Sequence, residues 1–311
     1  MTTNELIDRV SNWGRWGADD EVGTANLITP EHRRTAATLV RRGDVHSLAV
    51  DFEPDHPQYT GSGRVNPQRS MVGAGTDVRA GTQARFGVAG HGFADDMVVM
   101  SLQAATQWDA LSHCFYDYRM YNDRPCELVD ARGAAANDIA VLRDRVVTRG
   151  VLADVAAYLG VDALASDHLI TVAQLDATLA QQNVAVGAGD ALLVRTGHLG
   201  RIRREDAWHE FVEHDEPGLG WEALPWLRDH DIAAVAADNW AFEAVPSRHE
   251  LGLPIHAVGI VHMGLLIGEI FELDVLAQAC HADQRYDFLF VAPPLPFTGA
   301  VGSPTNPLAI R

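Results

Sequence analysis

Gln103, Gln107, Asp109 and His113 stand at offsets of four, two and four residues in the run Gln-Ala-Ala-Thr-Gln-Trp-Asp-Ala-Leu-Ser-His. A carboxylate and an imidazole this close together are the materials of metal-assisted hydrolysis or of general acid–base work. Histidine titrates near neutrality, so His113 suits a proton donor or acceptor. Plainer uses compete: Asp109 could cap a turn, and His113 could be a satisfied core histidine beside Cys114 and Phe115. Glu269 ends the apolar run Leu265-Leu-Ile-Gly-Glu, where an isolated carboxylate is costly to bury. It therefore calls for a partner, a metal or His256, unless it simply faces solvent at a strand end.

Such groups need elements to aim them. The apolar run Met97–Leu102 reads as a strand feeding the loop that carries Asp109 and His113. Residues 1–45 read as an N-terminal arm with a helix that opens at Pro30, and residues 46–311 as a single catalytic domain. The first part of that domain, to about residue 100, is rich in Gly, Pro and Asp, which predicts long loops between short strands. Buried strands are expected at 149–154, 191–196 and 232–238, and helices at 172–182 and 220–230. Strands alternating with helices predict an α/β fold, with a mixed sheet because of the loop-rich first third.

Bulk properties narrow the function. The chain has 311 residues, a net charge of −18 and only one compact basic cluster, Arg201-Ile-Arg203-Arg204, which argues against nucleic acid and anionic membranes. No apolar run approaches the roughly 20 residues of a membrane span. Three cysteines without a paired framework fit a reducing compartment, and Met-Thr-Thr-Asn-Glu does not open a signal peptide, so a cytoplasmic protein is expected. Thr60-Gly-Ser-Gly63 lacks the spacing and context of a serine-hydrolase elbow, and Gly73-Ala-Gly75-Thr lacks the Lys of a phosphate loop.

Longer signatures add a resemblance. Trp13-Gly-Arg-Trp16-Gly-Ala-Asp19 through Pro30 is similar to the opening of the longer bacterial members of the cyclase family, which includes kynurenine formamidase and isatin hydrolase. Arg149-Gly-Val-Leu-Ala-Asp154, Gly189-Asp190-Ala-Leu-Leu-Val-Arg-Thr196-Gly197 and Gly302-Ser-Pro-Thr-Asn-Pro307 resemble further signatures, so the likeness runs from about residue 13 to 309. Against the family hallmark H-x-G-T-H-x-D-x-P-x-H, Thr106, Asp109 and His113 match, while Gln103 and Gln107 replace histidines, Ala105 the glycine and Leu111 the proline. His256, a Gly-containing loop and then Glu269 match the second half, with one residue more between them than the pattern expects.

The resemblance implies a swivelling β/β/α fold, a homo-oligomer (dimer or tetramer) and a divalent metal, Mn or Zn before Mg. It would be held by Asp109, His256 and Glu269 with Gln107 and Gln103 as weaker oxygen donors. With two histidines replaced by Gln, a metal-free pocket is the competing expectation. Trp108, Tyr116, Asp238 and Asn239 are candidates for substrate binding, although aromatics are more often core and Asp-Asn often only turns a strand end. His262 reads as a supporting or structural residue. The implied activity is hydrolysis of a C–N bond in a small aromatic or cyclic substrate, as in an arylformamidase. The alternatives are a metal-independent cyclase or dehydratase and a ligand-binding protein that has lost catalysis.

Overall fold

The computed structural model describes residues 1–58, 63–83, 88–212 and 215–311. Thr60, Gly61 and Ser62, weighed above as a hydrolase elbow, lie outside the described residues. The chain opens with helix α1 (Thr3–Val10), whose start is a capping box: Thr2 accepts from the Glu5 amide and Glu5 reaches back to the Thr2 amide. Its buried face, Leu6 and Val10, joins the same core cluster as Val151, Val235 and Ile267 of the central sheet. Helix α2 (Pro30–Ala37) starts where Pro30 predicts it, with Thr29 as cap.

Strands follow in chain order as β1 (Val45–Ser47), β2 (Gln68–Gly73), β3 (Asp95–Val99), β4 (Gln107–Asp109), β5 (Val147–Asp154) and β6 (Ala191–Arg195). Then come β7 (Ala234–Ala237), β8 (Leu266–Glu269), β9 (Asp287–Val291), β10 (Gly302–Pro304) and β11 (Leu308–Ile310). Nine of them form one mixed sheet in the order β1-β11-β9-β5-β6-β7-β8-β4-β10. Strands β5 to β8 run parallel, and antiparallel strands flank them on both sides. The parallel strands are continuous apolar runs because both faces are covered. Along β6, Leu192 and Val194 face one core cluster while Ala191 and Leu193 face the other, and β5 and β7 alternate likewise. Helices α3 (Val172–Gln181), α4 (His198–Glu205), α5 (Ala223–Asp229) and α6 (Asp274–Asp283) lie between or after these strands.

Two expectations need correction. The apolar run at 97–102 does not feed the core. Strand β3 stops at Val99 and pairs only with β2 in a separate two-stranded ladder, where Met97, Val98 and Val99 are more than half exposed. A short apolar run looks the same whether a sheet covers it or not, so its composition could not decide the matter. The chemistry-bearing residues instead lie on their own short strand, β4, seated inside the main sheet. The second correction is the glycine loop after His256, which is a nine-residue π-helix, Ile255–Met263, ending at Gly264 in the left-handed region (φ 67°). A π-helix closes i to i+5 and holds more residues per turn. That wider turn gives a physical place to the residue by which this segment exceeds the family spacing.

Candidate active site

The site forms where β4 and β8 pair antiparallel, with Gln107 opposite Glu269 and Trp108 opposite Gly268. On the far side β4 pairs with β10, which sets Asp109 opposite Gly302. Directly opposed residues share a face, so Gln107, Asp109 and Glu269 project to one side and Trp108 to the other. Thr106 fixes the start of β4: its hydroxyl donates to the Ile270 carbonyl at 2.5 Å and accepts from the Val50 amide at 2.9 Å. Ile270, next to Glu269, adopts φ 59°, a left-handed conformation that a β-branched residue rarely takes. Its carbonyl bond to Thr106 and its amide bond to the Asn239 carbonyl at 2.9 Å hold it there. Local strain of this kind concentrates at functional sites.

Asp109, His256 and Glu269 converge from three elements, each offering a ligand atom within 4.8 Å of the others, and all three are buried. His256 Nε2 lies 3.1 Å from Glu269 Oε1 and 3.6 Å from Asp109 Oδ2. Its Nδ1–H donates to Glu243 Oε1 at 2.8 Å. Glu243 also accepts from the Ile255 and His256 amides, both at 2.9 Å, so one carboxylate caps the π-helix and orients its imidazole. Gln107 donates its amide N–H to Glu269 Oε2 at 2.6 Å, which turns its carbonyl oxygen away. His113 sits on the turn after β4, partly exposed, with Nε2 3.8 Å from Asp109 Oδ1.

The electrostatics are those of a cation-seeking cluster. Burial drives Glu269 above the usual carboxylate range, the Asp109 charge adds to that, and His256 opposes it. Burial also works to raise Asp109, but the neighbouring His113 and His256 outweigh it and leave the carboxyl lowered. For His256 burial disfavours the charged imidazole, yet Asp109, Glu243 and Glu269 around it hold it well above its ordinary value. Both Asp109 carboxylate oxygens and Gln107 Oε1 are buried without a hydrogen-bond partner among the described residues. Buried acceptors left bare are costly unless something positive meets them. Two carboxylates, an imidazole nitrogen and an amide oxygen are a donor set for a divalent metal. The residues fit the metal that the family resemblance implies.

The other candidates have other places. Trp108 is fully buried on the opposite face, its Nε1 donates to the Ala292 carbonyl at 2.7 Å, and Phe271 and Phe290 meet it edge-on. Asp238 is also taken up elsewhere. Its oxygens accept from the Thr196 amide and hydroxyl and the Gly197 amide at 2.6–2.8 Å, so it clasps the left-handed turn into α4. Burial pushes its carboxyl up to about 6, against the charge of Arg195. Asn239 is fully buried and donates to the Pro217 carbonyl at 2.8 Å, tying the end of β7 to a neighbouring loop. Tyr116 meets His262 edge-on at 5.8 Å, and His262 stacks on Trp13 at 4.6 Å, away from the hydrogen bonds of the trio. Gln103 does not bond to the trio, but its side-chain amide packs over Gly302, the residue paired with Asp109.

Two residues were not singled out from the sequence. Glu243 carried a weak signal, as the last polar group of Asp-Asn-Trp-Ala-Phe-Glu after a buried strand. Arg64 carried none, because it is an isolated base in a Gly- and Pro-rich loop. In the fold its Nη1 donates to the Gln103 carbonyl at 3.1 Å, and its charge favours the ionised forms of Asp109 and Glu269.

Comparison with known proteins agrees with this architecture. A crystal structure described as a novel cyclase is 37% identical, covering 97% of this chain and 100% of its own, with a TM-score of 0.89. Isatin hydrolase A from Labrenzia aggregata, bound to benzyl benzoate, is 17% identical over 88% of this chain and 94% of its own, with a TM-score of 0.61. Isatin hydrolase A from Ralstonia solanacearum is 18% identical over 88% and 93%, also with a TM-score of 0.61. At such identities the likeness is one of fold. No curated protein matches the chain. The Cyclase family model matches residues 35–244. With a near full-length relative above that model match, the chain belongs to the cyclase family.

Proposed function

We propose that this protein is a hydrolase that opens a C–N bond, as in an amide, formamide or lactam, of a small aromatic or cyclic substrate. The observation that carries the reading is the buried meeting of Asp109, His256 and Glu269, with neither Asp109 oxygen hydrogen-bonded among the described residues. A divalent ion, Mn²⁺ or Zn²⁺ before Mg²⁺, would be held by these three residues and the Gln107 carbonyl oxygen. When bound it polarises a carbonyl and makes a water acidic. The protein's own residues do the rest. With an ion bound, Glu243 would keep the remaining proton of His256 on Nδ1, so that Nε2 could present its lone pair to the centre. Glu269 fixes the Gln107 amide beside the centre by accepting its N–H. His113 Nε2, beside Asp109 and partly open to solvent, is placed to hand a proton to the departing nitrogen.

Elemental analysis of protein purified without added metal, followed by turnover of formanilides and aryl lactams before and after chelation, tests this. We expect about one divalent ion per chain and loss of turnover on chelation. Full turnover without metal would end this reading. The two glutamines that replace family histidines favour a second reading, a proton-transfer cyclase or dehydratase that works without metal. Product mass separates the two, since hydrolysis adds the elements of water and cyclodehydration removes them. Both readings take a small-molecule substrate in a cytoplasmic homo-oligomer. Among the described residues no helix is long and apolar enough to cross a membrane.

A further inference from the structure

The opening of the chain around Trp13 takes no part in the chemistry above, yet it is bound to the element that carries His256. A π-helix is rare, and nine residues is long for one, so its surroundings must hold it. Like any helix, it ends on carbonyls for which its own turns have no further N–H. Gly259 and Ile260 are served locally, since the Leu265 amide donates to the Gly259 carbonyl at 2.9 Å and the Gly264 amide to the Ile260 carbonyl at 3.2 Å. The next four carbonyls in a row, Val261 to Gly264, are all met from the N-terminal segment. Trp13 Nε1 donates to Val261 at 2.6 Å, the Asn12 amide to His262 at 2.9 Å, and Asn12 Nδ2 to Met263 at 2.8 Å. The Thr24 amide and hydroxyl donate to Gly264 at 2.8 and 3.0 Å. The donors are themselves aimed. Arg15 donates to Asn12 Oδ1 at 3.2 Å, which leaves Nδ2 for Met263, and Arg15 pairs with Asp231 at 2.7 Å. Trp13 also stacks on His262 at 4.6 Å, and Gly23 lies so close that a Cβ there would strike the Gly264 carbonyl.

The clamped helix joins two members of the trio. It starts one residue before His256 and hands the chain to β8, which ends on Glu269. An α-helix of the same residues would close i to i+4 instead of i to i+5, with fewer residues per turn, and would rotate His256 relative to β8. We propose that Asn12 and Trp13 are positioning residues: by holding the terminal carbonyls they keep Ile255–Met263 in its π register and so set His256 against Glu269 and Asp109. Among the described residues neither bonds to the trio, and both act through the helix. Glu243 grips the opposite end of that helix, so the two devices are separable. The expected loss of metal affinity rests on reading Asp109, His256 and Glu269 as a metal site, whereas the hold on the helix does not.

Hydrogen exchange of the full-length, metal-free protein, followed by mass spectrometry, tests the clamp in two variants. Trp13→Phe keeps a stacked ring and loses the N–H, and Asn12→Ala loses the side-chain donor to Met263. We expect peptides spanning 255–264 to exchange about tenfold faster in both, because a buried carbonyl left without its donor weakens the turn locally. Peptides of β5 and β6 should keep the parent's rates. Competition with a fluorescent chelator then reads Zn²⁺ and Mn²⁺ affinity, which should fall about tenfold, the lower end of the range for residues that support a ligand. Unchanged exchange in 255–264 overturns the proposal. So does a rise spread evenly over the whole protein, which is general destabilisation, or faster local exchange with the parent's metal affinity. Should Trp13→Phe fail to fold, Asn12→Ala decides by the same criteria. A parent that takes up no divalent ion ends the metal reading instead, and exchange in 255–264 still decides whether the N-terminal segment clamps the helix.

Discussion

His256 can serve a cation only if its Nε2 lone pair, and not an N–H, faces Asp109 and Glu269, and Glu243 enforces that choice. Its carboxylate takes the Nδ1 proton and two backbone amides at once. Glu243→Gln keeps the shape and one acceptor oxygen, turns the other into an N–H donor, and removes the charge that makes the imidazole a strong donor to metal. We expect metal affinity to fall about 10- to 100-fold, the usual cost of losing such a supporting carboxylate, measurable by competition with a fluorescent chelator. His113 makes the opposite case. It is partly exposed and lies 3.8 Å from Asp109 through its Nε2. His113→Ala should therefore leave metal content near that of the parent while kcat drops by about 10²- to 10⁴-fold, the range for a lost proton-transfer group. A variant that loses metal and rate together would move His113 from proton transfer to ligand support.

Element by element, the site depends on how closely β4 lies against β8. Gly268 is opposite Trp108, and a Cβ at that position would come within 2.7 Å of the Trp108 ring and 2.8 Å of Phe271. Both rings are fully buried, so neither can swing aside cheaply. Gly268→Ala should destabilise the fold by about 1–3 kcal/mol, as overpacking does, and weaken metal binding by shifting Gln107 against Glu269. Chemical denaturation and chelator competition read the two effects separately. An alanine tolerated without loss in either would show that the strands have slack. Several elements were legible in the chain itself. The buried runs of β5, β6 and β7 and the start of α2 at Pro30 sit where composition and end signals place them. The exposed strand β3 was misjudged because Met97-Val-Val is as apolar as a core strand, and burial is decided by what packs against it. The π-helix was missed because no propensity distinguishes it from an α-turn or a loop, although the surplus residue in its spacing was visible.

At the scale of the molecule, two buried histidines outside the trio contribute to the loss of stability in acid. Burial, helped by the Arg201 charge, pushes His198 down to about 3, and burial pushes His262 down to about 4 against the pull of Asp123. Each is fully or nearly fully enclosed and carries a buried ring nitrogen without a hydrogen-bond partner among the described residues. The unfolded chain takes up these protons near pH 6.5 while the folded chain resists them, so the unfolded state binds more protons throughout that interval. The contribution of these two histidines is therefore fully present above pH 6.5 and is lost as pH falls toward 4 and then 3. Thermal midpoints recorded from pH 7.5 to 4 should show this decline, and His198→Asn should flatten it. A midpoint that stays level across the range would mean that other groups compensate.

The residue types in the two half-motifs were enough to nominate Asp109, His113, His256 and Glu269, because catalytic side chains are scarce and their spacing is local. Their convergence was not contained in that list. It follows from β4 and β8 becoming antiparallel neighbours across some 160 residues, a pairing set by global sheet order. Local spacing says which atoms are available within one turn or strand. Only long-range strand register decides which face they share, and it sent Trp108 into the core, bound Asp238 to a turn, and brought Glu243 and Arg64 to the site from segments that look ordinary in the chain.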